Sequence, residues 1–441
     1  MGLKGDALAG EAAEALAERV ELRGADVGLS VEDLAMKVGA LDAIVVDHAE
    51  RADAGAREDE RRGSAYAAGA NEEHAGGAAR RRHRGGAYTG LTGAARRTRL
   101  GLRYARATML GSDEARALHG EYPAIDLHAD TLMWSRWLGY DLHKRHTPPL
   151  PMAALGGHVD VPRLREGGVG AQFFGLVSLP VAGSERGLAR TIFEQIDALD
   201  EAIARKPGEL HLARTAHDIE RARRAGAVAA LLGIEGAHAL EGDIERLADF
   251  ARRGVRYLGL LHFSDNEAGF PAYGRGERHD EGLTPWGRAL VERAESLGVL
   301  VDLAHLNRRG FLDACSMARK PVLVSHTGVL GVFDHWRNVD DAQLRAAAET
   351  GGCIGVIFCP RFVGKGGLDA VVAHLRHIVD VAGEDAPALG SDWDGFIVPT
   401  KELQDPTGLP LLTDALLKAG FRPELIGKIL RGNVMRVLDE A

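Results

Sequence analysis

TPWGRALVERAESLGVLVDLAH, residues 284–305, contains one complete step of the architecture. An amphipathic helical segment over 284–298 runs directly into GVLVDLAH (298–305), a short run that is apolar on both faces and closes with a histidine. Helical periodicity followed by an unbroken apolar run is the pattern of a crossover helix leading into a buried parallel strand. Seven more runs of that texture recur: AIDLHAD (124–130), GAQFFGLVSL (170–179), VAALLGIEG (228–236), VRYLGLLH (255–262), PVLVSH (321–326), GCIGVIFC (352–359) and APALGSD (386–392). Most are separated by helical segments such as RTIFEQIDALDEAIARK (190–206). Eight βα units in about 320 residues predict an α/β fold, a (β/α)8 TIM-type barrel with long loops. A doubly wound open sheet is the alternative, but no run is followed by a GxGxxG turn, so nucleotide binding is not indicated.

The polar residues that interrupt these runs do so at their C-terminal ends. His128 and Asp130 close the first, Glu235 the third, His262 the fourth, His305 the fifth, His326 the sixth and Asp392 the eighth. In a barrel those ends share one face, so residues far apart in sequence converge on one site. A single buried histidine reads more often as a satisfied core residue or a cap than as a ligand. Several imidazoles and carboxylates in one barrel mouth, however, cost on the order of several kcal/mol of desolvation and repulsion that a divalent cation offsets. His128 and Asp130 stand two apart on a strand and so point the same way. Glu235 has two oxygens with which to bridge two ions, and His305 and His326 would complete the donors to the second. Imidazole with carboxylate suits zinc first, then manganese, cobalt or iron. Two such ions about 3.5–4 Å apart acidify a water between them. The reaction class is metal-assisted hydrolysis.

The rest of the chain bounds the partners. The 441 residues are 45% hydrophobic and 27% charged, a globular composition with ample length for a core, and the net charge is -9. Nucleic acid is therefore not expected as a partner of the whole chain. Cys315, Cys353 and Cys359 offer no disulfide framework, and no apolar run is long enough for a membrane span. The start carries acids and alanines where a signal peptide would carry a basic and then an apolar block, so the expected location is cytoplasmic. Residues 1–110 read as an extension of uncertain fold before a hydrolase domain over 111–441. Up to Arg62 there are fifteen acidic and eight basic residues, and from Gly76 to Leu110 there are nine arginines, many glycines and no acid. The latter stretch is better read as a linker or upstream extension than as an RNA- or membrane-surface-binding arm.

The motifs, in this order, resemble the membrane (renal) dipeptidase family, the M19 peptidases of the amidohydrolase superfamily, over about residues 115–440. The resemblance runs through DLHADTL (126–132), GIEGAHAL (233–240), LLHFSDNEAG (260–269), GLTPWGRALV (282–291), VDLAHL (301–306), PVLVSHTG (321–328), RNVDD (337–341), GSDWDG (390–395) and RGNVMRVL (431–438). It implies a binuclear zinc dipeptidase that hydrolyses dipeptides bearing a free C-terminal carboxylate through a metal-bridged hydroxide. It further implies His128 and Asp130 on the first ion, Glu235 bridging, and His305 and His326 on the second. His262 would polarise the scissile carbonyl, Arg337 receive the substrate carboxylate, and Asp392 handle the proton of the bridging water, with Asp394 in a loop or supporting bond. The family's usual serine before the fifth-strand histidine is Ala304 here. A homodimer is compatible with the family. The competing readings are another amide or lactam hydrolase of the superfamily, and a non-catalytic barrel with an RNA-binding arm.

Other candidates read as structural. His238 is expected in a loop or cap, and Asp265, Asn266 and Glu267 in a turn at the rim. Cys359 reads as small and apolar, and Trp134, Trp137 and Tyr140 either line the pocket or pack a loop.

Overall fold

The computed structural model describes residues 111–146, 156–178 and 187–441. The division at residue 110, with the acidic and arginine-rich segments, lies outside the described residues. The strands are β1 (Ala124–Ala129), β2 (Val169–Val177), β3 (Leu210–Leu212), β4 (Val228–Glu235), β5 (Val255–Gly259), β6 (Leu300–Asp302), β7 (Leu323–Thr327), β8 (Cys353–Val356) and β9 (Pro387–Leu389). All pairings between them are parallel. Neighbours run β2-β1-β9-β8-β7-β6-β5-β4, and β4 pairs back onto β2. That closure makes an eight-stranded (β/α)8 barrel, as the eight apolar runs predict.

The ninth strand was not foreseen. β3 pairs with Val228–Ala230 of β4, while β5 pairs with Leu232–Ile234. Since Ala171–Val177 of β2 lies along the other edge of β4, β3 occupies the same edge as β5, nearer the start of the strand. Three residues are too short to leave a periodic signal.

The expected helices form where their sequences place the stops. Leu188–Arg205 covers the predicted 190–206, with Ile192, Ile196 and Leu199 on its buried face. Pro285–Ser296 falls within the predicted 284–298 and begins where Thr284 caps the Gly287 amide and Pro285 stands at the first position. These faces fill the layer between helices and barrel, the larger of the apolar clusters. A second cluster joins Ile125, Leu127, Phe173, Leu231 and Leu323 to Val434 and Val437 of the terminal helix Asn433–Glu440. That helix lies against the N-terminal strand ends: Asn433 Nδ2 donates to the Pro387 carbonyl at 2.8 Å, and Arg436 Nη1 to the Gly351 carbonyl at 2.5 Å. The site lies at the opposite, C-terminal ends of the strands.

The helix Asp113–Glu121, ahead of β1, is tied down by a buried histidine. His119 Nε2 donates to the Gly167 carbonyl at 2.5 Å and Nδ1 accepts from Thr413 Oγ1 at 3.1 Å, which suits a neutral imidazole. Burial lowers its pKa from 6.5 to about 4. The unfolded chain therefore takes the proton first, and stability is full above about 6.5 and falls as the pH drops toward about 4. The loss at this site is on the order of 3 kcal/mol. His119→Gln retains a donor and an acceptor but does not titrate. Chemical denaturation at several pH values between 7 and 4 should show a shallower loss of stability in the variant than in the wild type, and parallel curves would contradict this role.

Candidate metal centre

The predicted residues meet at the C-terminal ends of the barrel strands. His128 lies within β1, Glu235 ends β4 and His326 lies within β7, whereas His262, His305 and Asp392 each sit three residues beyond β5, β6 and β9. The last three were expected at strand ends. They are instead carried by turns, which lets their side chains fold back over the mouth. His305 and Asp392 both hold the left-handed backbone, φ 65° and 62°. Such conformations cost of order 1 kcal/mol or more in residues with a Cβ, and they mark positions that the surrounding structure overdetermines.

Glu235 is the hub. Its Oε1 lies 2.9 Å from His305 Nε2, 3.5 Å from His326 Nε2 and 3.8 Å from His128 Nε2, and its Oε2 lies 3.6 Å from His262 Nε2. His128 Nε2 is 3.2 Å from Asp130 Oδ1 and 3.9 Å from Asp392 Oδ1. The two imidazole nitrogens of His305 and His326 face each other at 3.1 Å. All of these side chains are buried. Three donor groups are compact enough to hold an ion: His128 with Glu235 and His326, Glu235 with His262 and His305, and His128 with Asp130 and Asp392. His262, expected only to polarise a carbonyl, therefore also stands within ligand range. Gly175 makes the space, because a Cβ there would overlap Asp130 Oδ1.

The electrostatics show what this proximity costs. Burial, with the Asp130 charge behind it, pushes the Glu235 carboxyl well above its ordinary range, and burial carries Asp392 up to about 8. Burial alone would lower His128, but Asp130 and Glu235 outweigh it and hold that imidazole up to about 10. His305 and His326 are pushed well down, mainly by burial. The shifts run in opposite directions within one cluster, with the carboxyls and His128 pushed up and His305 and His326 pushed down. His128 Nε2 and Asp130 Oδ1 are buried and make no hydrogen bond. Orphaned polar atoms at a nitrogen-and-oxygen donor cluster fit a divalent cation.

Arg337 enters from the loop after β7 and is buried. Its Nη2 donates to the His326 carbonyl at 2.9 Å and its Nη1 reaches Thr327 Oγ1 at 3.5 Å. The mundane role, an ion pair with Asp340 or Asp341, does not form. Asp340 caps the helix Asp341–Glu349 and pairs with Arg308 at 2.5 Å, and Asp341 accepts from His377 at 2.7 Å. Among the described residues no carboxylate forms an ion pair with Arg337, although burial lowers its pKa and Asp392 and Glu235 oppose that.

The candidates read as structural behave so. Asp394 accepts from Thr131 Oγ1 at 2.6 Å and from the His158 amide at 2.6 Å, bracing the turn that carries Asp392. His238 sits in the short helix Ala237–Leu240 and contacts Ser264 Oγ at 2.9 Å. Asn266 shapes its own turn through Leu260 and Ala268. Trp134 packs on Phe396 and donates to the Asp394 carbonyl at 2.7 Å, in one apolar cluster with Trp137 and Tyr140. The Cys359 thiol is pushed up to about 12 by burial, in keeping with a small apolar packing role. Motif reading passed over Tyr257, whose hydroxyl lies 2.7 Å from His128 Nδ1, and the buried Asp126, Asp302, Ser325 and Ser391. Acidic residues inside apolar runs were the available signal.

A model of the membrane dipeptidase family, peptidase family M19, matches residues 112–441. The chain belongs to that family. Dipeptidase tcpJ of Claviceps purpurea is 34% identical over 301 residues, 66% of this chain and 71% of that protein. Among solved structures, a metallopeptidase of Rhodobacter sphaeroides, liganded with a phosphinate mimic of the dipeptide L-Ala-D-Ala, is 27% identical with a TM-score of 0.63, covering 72% of this chain and 99% of its own. Dipeptidase AC, an M19 metallopeptidase, is 28% identical with a TM-score of 0.62, covering 72% and 98%. This membrane dipeptidase family member is a metal-dependent dipeptidase.

Removing divalent metal with a chelator should lower the melting temperature, and adding zinc, manganese or cobalt should restore it. A ligand at about 100 times its Kd stabilises the folded state by about 2.7 kcal/mol. Glu235→Gln should respond weakly to the same additions in calorimetry, because a carboxamide brings no charge to the cation. An unchanged melting temperature on chelation and readdition would show that the cluster holds no cation.

Proposed function

We propose that the cluster takes two divalent ions, zinc first among the candidates, and that the enzyme is specific for dipeptides with a free C-terminal carboxylate. His128, Asp130 and Glu235 would hold one ion, and Glu235, His305 and His326 the other. When bound, such a pair supplies an acidified water as nucleophile and an electrophile for the scissile carbonyl. The chain's own residues do the rest. His262, beside Glu235 Oε2, is placed to donate to the carbonyl oxygen as charge develops there. Asp392, whose Oδ1 lies 3.9 Å from His128 Nε2 in the same cluster, would take the water's proton and pass it to the leaving amine.

Arg337 carries the reading of substrate class. A buried guanidinium at the mouth, anchored on the His326 carbonyl and without a carboxylate partner among the described residues, is matched to a carboxylate brought by the substrate. Lysine lacks the planar fork that grips both oxygens. The dipeptide mimic bound by the Rhodobacter relative supports the same substrate class. The competing reading, a broader amide or lactam hydrolase, needs no such cation.

Arg337→Met should lower kcat/KM on a dipeptide by roughly 10²-fold, the loss of a charge-assisted bond together with substrate orientation. The corresponding C-terminal amide should be a poor substrate of the wild type and lose far less. Steady-state kinetics on the acid and amide pair reads both effects. Equal losses on the two, or an unaffected dipeptide rate, would remove the anchor and favour the broader hydrolase.

A further inference from the structure

Asp302 ends β6 below the two imidazoles of His305 and His326 and is 1% exposed. Its Oδ1 accepts from the Ala304 amide at 3.1 Å and from the Ser325 amide at 2.7 Å, and its Oδ2 accepts from Ser325 Oγ at 2.6 Å. The Ser325 hydroxyl oxygen lies 2.9 Å from His326 Nδ1. With three donors converging on it, the carboxylate is an acceptor throughout. The serine hydrogen is thereby committed to Asp302, which leaves the serine oxygen as the acceptor of the contact with His326. With the serine oxygen accepting, the proton of that contact would sit on Nδ1. His326 Nε2 is then a lone pair, facing Glu235 Oε1 at 3.5 Å and His305 Nε2 at 3.1 Å.

The same carboxylate acts on the neighbouring histidine by a second route. Ala304 precedes His305, and its amide is held by Asp302 Oδ1 just where the backbone turns into φ 65° at His305. That left-handed turn folds the His305 ring back to within 2.9 Å of Glu235 Oε1. His128 is supported differently, through Tyr257 Oη at 2.7 Å from its Nδ1. A parallel clamp, Asp126 with Ser391, braces the turn before Asp392 but contacts no imidazole nitrogen.

We propose that Asp302 is a positioning residue which, through the Ser325 hydroxyl, presets His326 Nε2 as a lone-pair donor and, through the Ala304 amide, holds the His305 ring beside it, so that one of the two ions depends on a carboxylate that does not touch it. The proposal rests on the two-ion reading above. It predicts a selective defect. Ser325→Ala removes one oxygen and leaves Nδ1 without a defined partner. Asp302→Asn goes further: its amide donates to Ser325 Oγ, the serine hydrogen turns to His326 Nδ1, and the imidazole proton is driven to Nε2, where it blocks the cation.

Full-length protein stripped of metal is titrated with zinc by calorimetry for the wild type, Ser325→Ala and Asp302→Asn, with ¹⁵N NMR of the imidazoles in the metal-free state. The wild type should show two binding events and the Nδ1–H form of His326. Both variants should keep one event and weaken the other about 10- to 100-fold, as for loss of a group that orients a metal-ligating histidine. Asp302→Asn should also shift His326 to the Nε2–H form. If Asp302→Asn does not fold, Ser325→Ala, which only deletes a buried hydroxyl, carries the test. Two unchanged events in the variants, equal weakening of both, or an Nε2–H form in the wild type would overturn the proposal. Absence of a second event in the wild type would instead defeat the two-ion reading, and this inference with it.

Discussion

Glu235 brings two oxygens into a space where four imidazole nitrogens lie between 2.9 and 3.8 Å from them. Asp130 and Asp392 close the same space from the side of His128. A cluster of that density is unfavourable by itself, since each carboxylate loses hydration and faces another, and each imidazole must either charge or surrender its proton. The barrel tolerates it because the remaining architecture is committed to holding it. Strands supply His128, Glu235 and His326, turns supply His262, His305 and Asp392, and the Asn307-capped helix Arg308–Met317 follows directly on the turn of His305. A divalent cation is the one partner that satisfies all the inward lone pairs together, which makes metal the structural complement of the fold as well as the agent of its chemistry.

Strain and burial are distributed around that cluster in a recognisable way. His305, Asp392 and Asp394 adopt left-handed backbone within the site, and each is secured by hydrogen bonds from elsewhere in the barrel. Asp392 donates its amide to the His128 carbonyl at 3.1 Å, and the Asp394 amide donates to His158 Nδ1 at 2.9 Å. Tyr257 reaches across to His128 only because Gly233, its partner in the register between β4 and β5, leaves room for the ring. Function here is purchased with local conformations that no isolated segment would choose.

The sequence disclosed the parts whose signal is local. Eight apolar runs with helices between them announced the barrel, and polar residues at their ends announced the face on which chemistry would gather. His128 and Asp130, two apart, were legible as a pair, and Glu235, His305 and His326 as their counterparts once a common face was assumed. Less visible was anything decided by contact across the barrel. β3 is too short to show a period. The turn geometry that puts His262, His305 and Asp392 beyond their strands depends on long-range hydrogen bonds. The acceptor role of Asp302 requires Ser325, twenty-three residues later, to be seen beside it. Likewise, the isolation of Arg337 from Asp340 and Asp341 became evident only when Arg308 and His377 were found to occupy those carboxylates.

On the proposed two-ion reading, Glu235 joins two metal positions in one site. Cobalt substitution tests it most directly: metal-stripped protein is titrated with cobalt(II) while its electron paramagnetic resonance spectrum is recorded. Two ions bridged by one carboxylate at about 3.5–4 Å should couple. The signal should grow with the first equivalent and be attenuated as the second fills the adjoining position. A signal that saturates at one equivalent, or that grows through two without any sign of coupling, would contradict it.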